Sequence, residues 1–254
     1  MIDLEKDLEI TNTVIKTDKV KREYVFAVCA DLHNRRGQWA LDEMGEIKPD
    51  AILIPGDLMH NLDRSYSLKK SKRGLRFLRE CKKIAPTFYA LGNHEKAVKK
   101  INRREIEKTG AKMLLGEVAR LGDITVGAVV PSMIEARMTR TAKPKMAGAL
   151  RLEKEDGFKI LLSHHPEHFV PYFEKMDIDL VVSGHAHGGQ WRIFGRGVFA
   201  PGQGLFPKYT SGLYRGRLYV SRGMVNTVKP IPRINNKCEL AIIRVLPKEQ
   251  GEAF

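Results

Sequence analysis

The chain has 254 residues, 43% of them apolar and 29% charged, enough for one large α/β domain or two small ones around a core of ordinary size. No apolar run reaches the length of a membrane span, and Met1–Ile10 lacks the basic-then-apolar pattern of a secretory signal, so a cytoplasmic protein is expected. Lys and Arg number 44 against 30 Asp and Glu, a net charge of +14 that attracts nucleic acid, anionic lipid headgroups or phosphorylated small molecules, or simply keeps a basic surface soluble.

Tyr24–Ala30 is the first short, nearly continuous apolar run, the pattern of a strand buried on both faces. It ends in Asp31-Leu32-His33. The second, Ala51–Pro55, ends in Gly56-Asp57. Ser65–Ile84 has helical length: Leu68, Leu75 and Leu78 share a face that Cys81 extends. Lys69, Lys70, Lys72, Arg73, Arg76, Arg79, Lys82 and Lys83 crowd the rest. That basic face either attracts phosphate or is a solvated helix surface, the plainer reading, because long basic side chains cover helices without function. Thr87–Leu91 runs into Gly92-Asn93-His94-Glu95, and the basic residues Lys96, Lys99, Lys100, Arg103 and Arg104 follow.

Ile124–Val130 is a further strand, and Pro131–Met146, basic with two prolines, reads as a long loop or short helix. Ile160–Ser163 runs into His164-His165, and Leu180–Ser183 into Gly184-His185-Ala186-His187. Beyond His187, glycines punctuate short aromatic and β-branched segments such as Arg217–Val220, which predicts hairpins and loops rather than crossover helices. Strands alternating with helices indicate an α/β class. No linker divides the chain, so a single domain over residues 1–254 is expected. Cys29, Cys81 and Cys238 are odd in number and widely spaced, which argues for reduced thiols rather than a disulfide framework or a thiolate zinc site.

Five times a hydrophobic strand ends in a carboxylate, carboxamide or imidazole. In α/β sheets the crevice outside the carboxyl ends of the strands is where ligands bind. Imidazole and carboxylate suit Zn, Mn, Fe or Co. Asp-x-His and His-x-His set alternate side chains on one side of an extended backbone, able to grip one or two neighbouring ions. The glycines before Asp57, Asn93 and His185 allow sharp departures from the strand and close backbone approach. Each piece alone has a bland reading: a turn, a hydrogen-bonded histidine, a capped helix start. Their joint occurrence, each after a strand, points to a metal site.

The ordered set Asp-x-His, Gly-Asp, Gly-Asn-His-Glu, His and Gly-His-x-His over residues 31–187 resembles the calcineurin-like metallophosphoesterases. The stretch 184–190 with Ser211–Tyr214 and Tyr219–Gly223 is similar to the bacterial branch acting on UDP-2,3-diacylglucosamine and related phosphodiesters. The resemblance implies a four-layer αββα sandwich of two mixed sheets flanked by helices. It implies two divalent metal ions, Mn, Fe, Zn or Co, and hydrolysis of a phosphodiester or phosphoanhydride by a metal-activated water. Asp31, His33 and His187 would hold the first metal, Asn93, His164 and His185 the second, with Asp57 bridging. His164 directly follows its strand and fits the ligand block best; His165 is the second choice. His94 would not bind metal but would face the substrate phosphate and leaving group, with Asn93 also on the substrate. Glu95 either orients that imidazole or sits at a helix N-terminus.

Two departures stand out. Many members have Gly-Asp-x-x-Asp, whereas Leu58, Met59 and His60 follow Asp57, leaving the fourth position, and any part played by His60, open. Members of the bacterial branch often carry an anchor or export signal that this sequence does not show, which argues against carrying over a lipid substrate. A nuclease on the same site is the alternative favoured by the charge, although no nucleic-acid-reading module is evident. A non-catalytic metal-binding interaction module is the alternative of another class. A phosphate-containing substrate is the expected partner, with nucleic acid and peripheral contact with an anionic membrane as further possibilities.

Overall fold

The computed structural model describes residues 8–59, 71–95, 100–132, 142–226 and 232–248. His60, Leu68, Lys69, Lys70, Lys96, Lys99 and most of the Pro131–Met146 segment lie outside the described residues. The first half of the chain builds β1 (Leu8–Thr17), β2 (Tyr24–Val28), α1 (Gln38–Ile47), β3 (Ala51–Ile54), α2 (Lys72–Ile84), β4 (Thr87–Tyr89), α3 (Lys100–Glu107) and β5 (Lys112–Met113). The second builds β6 (Val118–Leu121), β7 (Ile124–Ala128), α4 (Ala147–Leu152), β8 (Phe158–Leu162) and β9 (Leu180–Ser183). Short strands follow: β10 (Arg192–Ile193), β11 (Arg196–Gly197), β12 (Phe199–Ala200), β13 (Gly204–Leu205), β14 (Gly212–Tyr214) and β15 (Leu218–Val220), before β16 (Cys238–Pro247) closes the series.

Two six-stranded mixed sheets result, ordered β1-β16-β2-β3-β4-β5 and β14-β15-β9-β8-β7-β6. In the first, only β16 and β2 pair antiparallel. In the second, β15, β9, β8 and β7 run parallel between antiparallel edges β14 and β6.

Side-chain alternation explains the continuous apolar runs. Phe26 and Val28 of β2 meet Val126, Ile160 and Val182 of the other sheet, while Ala27 turns to the opposite face, against Ala40 and Met44 of α1 and Leu75, Leu78 and Cys81 of α2. On β8, Ile160 and Leu162 face the first sheet; Leu161 packs outward with Ala149 and Leu152 of α4 and with Phe169 and Phe173. Helix, sheet, sheet, helix is therefore the layer order, as the resemblance implied. The helix predicted from Ser65 is described from Lys72; its basic residues from Lys72 to Lys83 are exposed while Phe77 joins the predicted apolar face. All three cysteines are buried and none is in a disulfide. Among the described residues no helix is long and apolar enough to cross a membrane.

Candidate metal centre

The ladders do not stop where the strands end. Beyond β2 and β3, Asp31 N–H donates to Gly56 O (3.2 Å), His33 N–H to Asp57 O (2.9 Å) and Asn34 N–H to Leu58 O (2.8 Å). In the second sheet, Gly184 N–H donates to His164 O at 3.1 Å. These bonds align the strand-end segments within each sheet. The sheets are then joined at the site, because His185 N–H reaches Asp31 Oδ2 at 3.0 Å. Asp31, His33, Asp57, Asn93 and His94 from one sheet thereby face His164, His185 and His187 from the other.

The backbone there is unusual. Asp31, His33, Asp57, His185 and His187 all have positive φ, between 46° and 66°. Non-glycine residues enter this region at a cost of order 1–3 kcal/mol and cluster at functional sites. Of the three glycines that precede candidate ligands, Gly56, with φ +128°, is the one that needs glycine's conformational freedom. Gly92 and Gly184 lie outside the left-handed region, so the sharp departure expected of them is replaced by a need for space. A Cβ on Gly92 would lie 2.1 Å from Asp57 Oδ1, and one on Gly184 2.7 Å from Asp31 Oδ2.

The side chains assemble into overlapping groups whose ligand atoms lie within 4.8 Å of one another: Asp31, His33 and His187; His33, Asp57 and His94; Asp57, His164 and His185. Asp57 Oδ2 lies 3.2 Å from His164 Nε2 and 3.8 Å from both His33 Nε2 and His94 Nε2. Asp31 Oδ1 is 3.8 Å from His187 Nε2 and from His33 Nε2. Asn93 Oδ1 sits 3.1 Å from His164 Nε2. Asp31, Asp57 and His164 are essentially inaccessible to water, whereas the His94 side chain retains 28% of its exposure.

Electrostatics follow from that crowding. Burial, reinforced by the charge of Asp57, raises the Asp31 carboxyl to about 7. Burial also opposes ionisation of Asp57, but the neighbouring imidazoles outweigh it and hold that carboxyl well below its usual value. Burial disfavours the His164 cation, yet Asp57 and Asp31 override it and raise His164 to about 9. Burial holds His185 and His187 well below the usual imidazole range, as neutral rings suited to coordination. Two buried carboxyl groups among clustered imidazoles, all oxygen and nitrogen donors, fit divalent transition metals. The residues present therefore satisfy the chemistry of a metal site.

Glu95 lies in the short helical turn Asn93–Glu95 and braces the loops around it. Its fully buried carboxylate accepts N–H bonds from Gly92 (2.7 Å), Asp57 (2.9 Å) and Met59 (2.6 Å), tying the loop after β3 to the turn after β4. Burial, with Asp57 nearby, raises Glu95 to about 7. Long-range contacts also bring in residues that no motif flagged. Arg233 Nη2 lies 3.4 Å from His187 Nδ1. His165, Glu167 and His185 form a fourth group with metal-ligand spacing, and the His168 ring lies against His165, tilted by 44° with centroids 5.0 Å apart. The adjacent histidines gave a signal for His165; Arg233 gave none.

The family model for calcineurin-like phosphoesterases matches residues 24–189. An uncharacterized metallophosphoesterase of Helicobacter pylori is 30% identical over 255 residues, covering 96% of this chain and 65% of the relative. The phosphodiesterase YaeI of Escherichia coli is 29% identical over 195 residues, covering 70% of this chain and 64% of the relative. The chain thus spans about two thirds of the length of these relatives. Among solved structures, TT1561 of Thermus thermophilus aligns with a TM-score of 0.45 and 16% identity over 63% of this chain and 81% of that one.

Proposed function

Because the chain belongs to the calcineurin-like phosphoesterase family, we propose that it is a metal-dependent phosphohydrolase with a dinuclear centre, cleaving a phosphodiester or phosphoanhydride. The observation that carries this reading is Asp57, a buried carboxylate whose Oδ2 lies within reach of imidazoles from both sheets. Asp31, His33 and His187 would hold one cation and Asn93, His164 and His185 the other, with Asp57 shared. Mn, Fe, Zn and Co all suit these donors. When bound, such ions lower the pKa of water and offset charge on a phosphoryl group.

The chain's own residues divide the remaining work. Glu95 holds Asp57 in place through its main chain. Asp57 Oδ1 in turn accepts the His94 N–H at 2.9 Å, fixing the start of the His94 segment. The partly exposed His94 ring can present a proton from Nε2 to a departing oxygen. Asn93 can donate its amide N–H to a substrate phosphate, while its Oδ1, 3.1 Å from His164 Nε2, would serve as a ligand. The diester preference is supported by the name of the E. coli relative, and the single-domain reading by the apolar core shared between the sheets.

The test compares Asp57→Ala and His94→Ala for metal content and for hydrolysis of a generic aryl phosphodiester. Asp57→Ala is expected to lose both metal and activity. His94→Ala should lose turnover but keep its metal. Full activity in Asp57→Ala would refute the dinuclear reading, and loss of metal in His94→Ala would make His94 a ligand.

A further inference from the structure

Past His187 the backbone leaves the candidate metal centre through Gly188 and Gly189 and enters the hairpins β10–β11 and β12–β13. Val198 joins them. Its N–H donates to Trp191 O (2.8 Å) and Gly189 O (3.1 Å), and its carbonyl accepts from Phe206 N–H (2.8 Å). Arg192 N–H donates to Ile234 O at 2.9 Å, so the segment before β16 lies alongside. The hairpins are one unit, fixed to the turn that carries His187.

What this unit turns outward is apolar. Phe194 is 101% exposed, Phe206 80%, Leu205 69% and Ile193 57%. Single exposed apolar residues are ordinary; four large ones on joined hairpins mark an interaction surface. Both phenylalanines have positive φ, 48° and 50°. A bulky residue reaches that region only at a cost in free energy, and a solvated phenyl ring returns nothing for it within the chain.

Charge supplies the second observation. From Leu180 to Cys238 the sequence contains no Asp or Glu, so all 30 acidic residues lie elsewhere. Arg196, Lys208 and Lys237 are exposed within that stretch. Although Glu9 lies near Lys237 and Glu167 beside Gly202, apolar tips rimmed by exposed cations are complementary to a surface with hydrocarbon beneath and phosphate above.

We propose that these hairpins seat the protein on an anionic lipid bilayer. Ile193, Phe194, Leu205 and Phe206 enter the acyl boundary, and Arg196, Lys208 and Lys237 meet lipid phosphates. Single-stranded nucleic acid would also use aromatic faces and cations. Ile193 and Leu205, however, offer no ring on which a base stacks, whereas hydrocarbon accommodates all four side chains. Docking in this way sets the candidate metal centre beside the lipid surface, because His187 opens the same turn.

Co-sedimentation with vesicles tests this, using phosphatidylcholine alone and phosphatidylcholine mixed with phosphatidylglycerol. The protein is expected to partition onto the mixed vesicles. Phe194→Ala/Phe206→Ala should weaken that partition by about tenfold or more. Arg196→Glu/Lys208→Glu should weaken it too and reduce its dependence on salt. The phenylalanine variant should keep the parent's circular dichroism and thermal midpoint. Absence of vesicle binding, binding indifferent to anionic lipid, or equal binding by the variants would overturn the proposal. So would phenylalanine-dependent binding of a single-stranded oligonucleotide without vesicle binding, or a phenylalanine-dependent dimer without it. Vesicle binding is read without turnover, so its failure and that of the hydrolytic reading are separate results.

Discussion

Gly92→Ala isolates the packing around Asp57. The Gly92 backbone is outside the left-handed region, so alanine is not penalised for its conformation. The new methyl would instead lie 2.1 Å from Asp57 Oδ1 and 2.5 Å from Asp57 N, where real Cβ contacts stay beyond 3.0 Å. The carboxylate could rotate, but the backbone nitrogen cannot, so the two loops must part by about 1 Å, a misplacement on the scale that costs catalysis roughly a hundredfold. Overpacking of this kind costs about 1–3 kcal/mol, and loss of the charged bond from His94 N–H to Asp57 Oδ1 adds roughly 1.5–3 kcal/mol. With native stabilities of about 5–15 kcal/mol, the protein should still fold. Urea unfolding should show a stability lower by about 3–5 kcal/mol, elemental analysis a reduced metal content, and an aryl phosphodiester assay a large loss of turnover. A variant with the parent's urea midpoint and metal content would refute the claim that Gly92 makes room for Asp57.

Three further outcomes are expected. Gly45 is exposed in α1, and a Cβ placed there would have nothing within 4 Å, so alanine should be accepted with a gain of about 0.5–1 kcal/mol in urea unfolding; a loss would contradict the open space there. Burial lowers His168 to about 4, so between 6.5 and about 4 the unfolded chain binds the proton first and stability falls as pH falls through that window. The full effect is about 3 kcal/mol, and a His168→Phe variant compared with the parent at pH 7 and pH 4.5 should lack most of it. Manganese at a thousand times its Kd should stabilise the protein by about 4 kcal/mol over chelator-treated protein, an increment that Asp57→Ala should not show in thermal unfolding.

The legible parts of the fold share one cause. A strand buried on both faces must be apolar at consecutive positions, so β2, β3, β4, β8 and β9 stand out as runs and their ends can be read directly. β1 is an edge strand, exposed at alternate positions, and its Leu8–Thr17 sequence has no such run. The hairpins after His187 were legible from glycine spacing, but their outward phenylalanines were not, because no periodicity distinguishes a buried from an exposed aromatic at a turn. The part played by Glu95 was illegible for another reason: two of its three N–H partners belong to Asp57 and Met59, more than thirty residues earlier.

The glycines mark three of the candidate ligands, Asp57, Asn93 and His185. A Cβ on each glycine that precedes one candidate ligand would collide with the side chain of another: on Gly56 with His164 Nδ1 (2.7 Å), on Gly92 with Asp57 Oδ1 and on Gly184 with Asp31 Oδ2. Carboxylates and imidazoles from separate chain segments converge where two sheet edges meet, and the backbone between them has no room for a Cβ. Positive φ at Asp31, His33, Asp57, His185 and His187 turns those side chains inward at a conformational cost. The extended ladders, the His185-to-Asp31 bond and the Glu95 carboxylate hold that backbone in place. Glycine-then-ligand is thus the one-dimensional trace of a packing constraint. It survives in sequence because the constraint falls on a neighbour in the chain, whereas a brace such as Glu95 acts across the fold and leaves no local spacing to read.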